Sequence, residues 1–301
     1  MPFADTTLRD EYAAAVERVA GRVLDALRGA GDPAAPTRRS APDAAARLAH
    51  ATPEGPLPAE GPLSRAELAA VRVLGPDLFA AQLLAGQRLD GPTADAAAEA
   101  LGTFPMSAAS PVPDATATAT ATAAASPAAT GAALANAWRD RATAQLVALA
   151  GRPVPALGPD PVRPQEPTPR DWPRWSVDMA RLSALALPRL DGPVHELARR
   201  HSLTLARGVT RSMLRRDYRT AARLARWLAW NEADGGPAHL DLGPVLDRIR
   251  AVGDGSTRMW LELAITEQLS SAGEPSGGRT TGNPGANPGG HSGDSPDGAA
   301  A

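Results

Sequence analysis

The spacing of apolar side chains along this chain of 301 residues predicts helices throughout. Leu8, Tyr12, Val16, Val19, Val23 and Leu27 recur every three or four positions, which puts them on one face of a helix from about Asp5 to Arg28. Gly29, Gly31 and Pro33 end it. Residues 32–62 are rich in Pro, Ala and Gly, with at most a short helix at 42–51. Ser64-Arg65-Ala66-Glu67 then has the form of a capping box leading into Leu68, Val71 and Leu74. Gly75 stops that helix, and Pro76 suits the first turn of the next, which carries Leu78, Phe79, Leu83 and Leu84. A further short helix is expected from Pro92 to about Leu101.

In the second half a helix is expected over 131–150, with Leu134, Trp138, Leu146 and Leu149 inward. Seven prolines between 152 and 170 make that stretch extended, of polyproline II type, and a spacer. Asp171 can cap a helix carrying Trp172, Trp175, Met179, Leu182 and Leu185, ended by Pro188. Wound as one helix, Val194–Trp230 would have Ala206, Val209, Met213, Leu224 and Leu228 on its apolar arc and Asp217 in the middle of it, where an unpaired carboxylate is costly. The conflict disappears if Asp217 caps a second helix. The reading is therefore a hairpin, about His195–Arg215 and then Tyr218–Asn231. A turn at Asp234–Pro237, a short helix at Pro244–Val252, a break at Gly253–Gly255 and a last helix from Ser256 or Thr257 complete the pass. That last helix carries Trp260, Leu263, Ala264 and Leu269.

No segment alternates convincingly as a strand, so the expected fold is all-α. Its main part is a small bundle built on the helix hairpin. All six tryptophans lie between Trp138 and Trp260, and large aromatics dominate core burial. The expected organisation is an N-terminal helical region at 1–104, a linker at 105–130, a main helical domain at 131–272 and a tail at 273–301. The linker has no aromatic residue and almost nothing apolar larger than Ala, too little burial to offset a backbone ordering cost of ~1–2 kcal/mol per residue. It is expected to be flexible, and the Gly/Pro/Ser-rich tail disordered.

Composition narrows the chemistry. Ala (65), Pro (30) and Gly (28) bring no reactive side chain, and there is neither Cys nor Lys. The absence of Cys removes disulfides, thiol nucleophiles and Cys-ligated metals. The absence of Lys removes Schiff-base chemistry and the P-loop lysine. No cofactor is expected, and the balance lies against an enzyme. No apolar run approaches the ~18–20 residues of a membrane span, and the first residues carry no signal-peptide pattern, so the expected address is cytoplasmic.

Net charge is −2, but it is unevenly spread: −4 over 1–104, +1 over 105–170, +6 over 171–232 and −5 over 233–301. The basic segment carries an arginine stripe, Arg207, Arg211, Arg215, Arg219 and Arg223, with Arg199, Arg200, Arg216 and Arg226 nearby. Guanidinium forks suit carboxylate or phosphate, so the stripe is either a contact surface or a solvated face. The flanking acidic segments could also neutralise it internally. Trp227 and Trp230 share a helix face, as do Trp172 and Trp175, and each pair serves either as core or as an anchor beside the stripe.

Two short resemblances touch this region. Glu196–Thr204 looks like the first helix and turn of a bacterial repressor helix-turn-helix, but Ser202 stands where Gly is usual and Gly208 falls inside the would-be recognition helix. Arg216-Asp217-Tyr218-Arg219-Thr220-Ala221 resembles the turn of tetratricopeptide-like hairpins. It supports the hairpin alone, since no further copies occur.

His195 and His201 are six apart and share no helix face as a metal pair would. His239-x-Asp241 offers a loop cation site on paper, although no metal is expected. Gly253-Asp254-Gly255-Ser256-Thr257 is either an anion-binding turn or a plain helix cap. Pro161-Val162-Arg163-Pro164 is P-x-x-P-like.

The leading expectation is a non-enzymatic accessory or interaction protein that presents its Arg-rich hairpin to an acidic protein partner. Contacts would come from Arg207, Arg211, Arg215, Arg219 and Arg223, with Trp227 and Trp230 as anchors. The first alternative is a nucleic-acid-binding transcriptional regulator using the same helices. The second is an enzyme or small-molecule binder with a pocket between the Trp-bearing helices.

Overall fold

The computed structural model describes residues 3–31, 57, 62–104, 127–156 and 160–273. All regular structure among them is helical. The first helix, α1 (Phe3–Gly31), buries Val19, Val23 and Leu27 completely, half-buries Tyr12 and Val16, and leaves Leu8 half exposed. The capping box opens α2 (Arg65–Leu74): the Glu67 amide donates to Ser64 Oγ at 3.2 Å and the Ser64 amide to Glu67 Oε2 at 3.1 Å. That amide is the main reason the Glu67 carboxyl sits below its ordinary pKa.

After Gly75 the single helix expected from Pro76 is divided into a 3-10 turn (Gly75–Phe79) and one α turn, α3 (Ala80–Leu84). Asp90 caps α4 (Gly91–Thr103), its Oδ1 accepting from the Thr93 amide at 2.7 Å. Next comes α5 (Pro127–Leu149), which begins inside the stretch read as linker. The expectations for 105–126, for the short helix at 42–51 and for 274–301 lie outside the described residues.

The Pro-rich stretch has no regular structure over 152–156 and 160–168, as its prolines require. It is tied down: Trp138 Nε1 donates to the Val162 carbonyl at 3.3 Å, Arg163 pairs with Glu196 at 3.1 Å, and Glu166 pairs with Arg200. Asp171 does stand at the N-cap of α6 (Trp172–Arg181), but its carboxylate accepts the Thr168 hydroxyl at 2.9 Å instead of a helix N–H. A 3-10 turn (Ser183–Leu185) leads to α7 (Pro193–Arg200), α8 (Ser202–Leu214), α9 (Tyr218–Ala233), α10 (Leu242–Val252) and α11 (Thr257–Gly273).

The centre of the fold is α9, which packs on α8, α11 and α6. From Ala221 to Trp230 it is buried on almost every side apart from Arg223. The N-terminal helices pack into the same core as the helices of the second half. Helix α1 lies against α2 and α11, and one cluster runs from Ala15 through Phe79 to Leu269. Small side chains explain how the Ala-rich part joins in: Ala94, Ala97 and Ala100 on α4 are buried at close helix approach, where each adds little area but leaves no void. Polar ties confirm the docking of α1. The Thr257 amide donates to Glu17 Oε2 at 2.8 Å, and Gln268 Nε2 donates to the Leu27 carbonyl at 3.0 Å.

Candidate functional site

The basic segment folds as the hairpin that Asp217 implied. Helix α8 ends at Leu214, Arg216 takes a left-handed φ of 59°, and Asp217 caps α9 by accepting from the Thr220 amide at 3.1 Å. The first arm is two helices, since the chain breaks at His201 between α7 and α8. Gly208 lets α8 approach α6 and α9: a Cβ there would stand 2.8 Å from Ser176 Oγ and 3.0 Å from Leu224 Cδ1.

The arginine stripe divides at the turn. On α9, Arg219 pairs with Asp254 at 2.6 Å, and the Nε of half-buried Arg223 stands 3.7 Å from Glu262. Three residues on, Arg226 is fully enclosed. Its guanidinium donates to Asp77 at 2.7 Å, to Glu262 at 3.1 Å and to the Ala186 carbonyl at 3.2 Å. Burial opposes its charge, but Asp77 and then Glu262 outweigh that and raise its pKa. Burial likewise works against the Glu262 carboxylate, and Arg226, Arg223 and Arg258 overcome it. This triad ties the 3-10 turn after α2 to α9 and α11.

The first arm is different. Arg199 is held by Asp234 at 2.8 Å and Asp191 at 3.1 Å, and Arg200 by Glu166. On α8, however, Arg207 and Arg215 are exposed and Arg211 is half-exposed. No carboxylate among the described residues lies within 4.0 Å of these three or of exposed Arg216. The same helix turns outward Leu203, 49 % exposed, and Leu214, 82 % exposed, while Leu205, Ala206 and Val209 face the core. Positions 203, 207, 210 and 214 fall on one line along a helix and hold Leu203, Arg207, Thr210 and Leu214, with Arg211 and Arg215 beside that line. The outer face of α8 thus sets a row of arginines alongside two exposed leucines.

Trp227 and Trp230 do not stand beside this face; α9 carries them into the core. Trp227 Nε1 donates to the Met179 carbonyl at 2.9 Å, and the two indoles meet edge to face at 5.6 Å. His195 fills the space against both, 5.5 Å and 5.0 Å from their rings, and its Nε2 donates to the Leu185 carbonyl at 2.9 Å. The room in which a pocket between the Trp-bearing helices was expected is therefore occupied by side chains. Burial holds the His195 pKa below its ordinary value, against smaller upward pulls from the Leu185 carbonyl, Asp191 and Asp234. A half-open depression of about 440 Å³ lies elsewhere, lined by Leu27, Arg250, Trp260 and Glu267 among others.

The remaining motifs serve the fold. His239 shares a 3.0 Å hydrogen bond with Ser202, and Asp241 caps α10 through the Gly243 amide at 3.1 Å. No metal-binding group of three His, Asp or Glu occurs among the described residues. In the Gly253–Thr257 turn the chain's own carboxylates take the place of an anion. Asp254 accepts from the Ser256 amide at 3.0 Å and Glu17 from the Thr257 amide. The P-x-x-P-like stretch keeps Val162 77 % exposed while its neighbour Arg163 pairs with Glu196. No helix among the described residues is long and apolar enough to cross a membrane.

The buried triad is the feature that stripe counting passed over. Arg226 lies in the apolar run Leu224–Trp230, Asp77 between Leu74 and Leu78, and Glu262 between Leu261 and Leu263. A charge inside an apolar run is the available signal, and pairing among these three is what makes burial tolerable. Comparison with known protein families, curated proteins and solved structures finds no match for the chain.

Proposed function

We propose that the protein is a non-enzymatic interaction module whose docking face is the outer side of α8, and that its partner is an acidic protein segment. The supporting observation is the split fate of the arginine stripe. Among the described residues, Arg207, Arg211 and Arg215 have no carboxylate partner, while Arg199, Arg200, Arg219, Arg223 and Arg226 lie against the chain's own acids. Leu203 and Leu214 at either end add apolar contact, which favours a partner helix bearing both carboxylates and apolar side chains over a phosphate backbone. Arg219, Trp227 and Trp230, first read as contacts, are assigned to the fold, and Arg223 is turned away from this face toward Glu262.

The test uses the full chain. Partners captured by crosslinking at Arg211→Cys are purified and titrated against the native protein and the Arg207→Glu/Arg211→Glu/Arg215→Glu variant. The reading requires an acidic partner whose affinity falls at least about tenfold in the variant and weakens with salt. Duplex DNA is titrated alongside. Binding to DNA with a linear salt dependence, lost in the same variant, would replace this reading by the nucleic-acid one.

A further inference from the structure

Beneath the hairpin the chain gathers more positive charge than it neutralises. Around the Arg226–Asp77–Glu262 triad lie Arg139 from α5, Arg223 from α9 and Arg258 from α11. The Arg223 Nε is 3.7 Å from Glu262, too far for a hydrogen bond. Arg139 and Arg258 have no carboxylate within 4.0 Å among the described residues, and the Nε of each is shut off from solvent with no hydrogen-bond partner. Arg139 donates through Nη1 to Asn136 at 2.9 Å, and its stem lies over Gly75, where a Cβ would meet Arg139 Cγ at 2.7 Å.

Among the described residues, four guanidiniums here face two carboxylates. The adjoining Arg72–Asp140 pair, at 2.7 Å, is self-neutral and leaves the excess unchanged. The excess is felt. Burial first and then Arg258 lower the Arg139 pKa, and burial lowers Arg223 with Arg258 and Arg219 adding to it. The three arginines are half-buried, yet an enclosed guanidinium Nε is ordinarily partnered, and arginine forks from separate helices around an unmatched double positive charge suit an oxyanion.

We propose that Arg139, Arg223 and Arg258 form a binding site for a phosphate-type dianion, either free phosphate or the phosphoryl group of a small metabolite. The triad below fixes the floor of this site, and Gly75 admits the Arg139 stem. The site is independent of the α8 face, so each can fail without the other.

Isothermal titration of the full chain with inorganic phosphate, at constant ionic strength in chloride, tests it. The expected result is one saturable site per chain with a Kd of about 1 mM or tighter. Arg139→Met, which keeps the stem over Gly75, weakens it at least about tenfold, as does Arg258→Gln. Burial and Arg258 both disfavour the Arg139 cation, so in Arg139→Met Tm in chloride stays level or rises, whereas a purely structural arginine would lower it. Arg207→Gln leaves phosphate binding unchanged. A phosphorylated sugar binding at least about tenfold tighter than phosphate marks the metabolite as the source, and equal affinity marks free phosphate. No saturable heat with the native chain, or undiminished binding in both Arg139→Met and Arg258→Gln, overturns the proposal.

Discussion

The two helices of the hairpin carry arginine at intervals of three or four and put it to opposite uses. On α9, Arg219, Arg223 and Arg226 turn progressively inward, and each meets a carboxylate from another part of the chain. On α8, Arg207, Arg211 and Arg215 turn outward and meet none among the described residues. The difference lies in what surrounds each helix. Helix α9 is wrapped by α6, α8 and α11, so its charges must be paired or pay desolvation. Helix α8 packs on one side only, and its outer arginines remain solvated.

The comparison is broken hardest at Arg226. Arg226→Met leaves Asp77 and Glu262 enclosed without their cation, and urea unfolding is expected to show a loss of about 3–5 kcal/mol. A smaller loss follows at the contact between the two arms. In Gly208→Ala the new methyl meets Ser176 and Leu224, at an expected cost of about 1–3 kcal/mol by the same assay. At the turn, Asp217→Ala removes the cap on the Thr220 amide and costs about 1 kcal/mol.

His195 sharpens the contrast through pH. Its folded pKa is held below 6.5 by burial, so below pH 6.5 the unfolded chain takes a proton that the folded chain refuses. Its contribution to stability is complete above that pH and declines as pH falls toward the lower, folded value. Unfolding curves across pH 7 to 5 are expected to show this decline, and His195→Gln, which keeps a donor for the Leu185 carbonyl, to flatten it.

The helices themselves were largely legible, because their signals are local. The capping box at Ser64, the cap at Asp217 and the break at Gly253 all follow from neighbours a few residues apart. What escaped was long-range. Nothing near Arg226 in sequence announces Asp77, 149 positions away. The joining of α1 to α11 rests on alanines whose small size carries no periodic signal. The tryptophans at 227 and 230 could be read as core or as anchors, since the pattern of α9 alone does not say how many of its sides are covered. The arginine stripe was visible as a spacing, but its division into a paired half and a free half depends on acids brought in by the fold.

If the α8 arginines form a docking face and contribute nothing essential to the fold, removing them together leaves stability nearly unchanged. The direct measurement is the urea-unfolding free energy of the full chain carrying Arg207→Gln, Arg211→Gln and Arg215→Gln. Glutamine matches arginine in helix propensity, and the only loss foreseen is the weak attraction of Arg211 and Arg215 to the C-terminal end of α8. The expected change is less than about 1 kcal/mol. A loss of about 3 kcal/mol or more, comparable to removing Arg226, would contradict the account and make the whole stripe part of the fold.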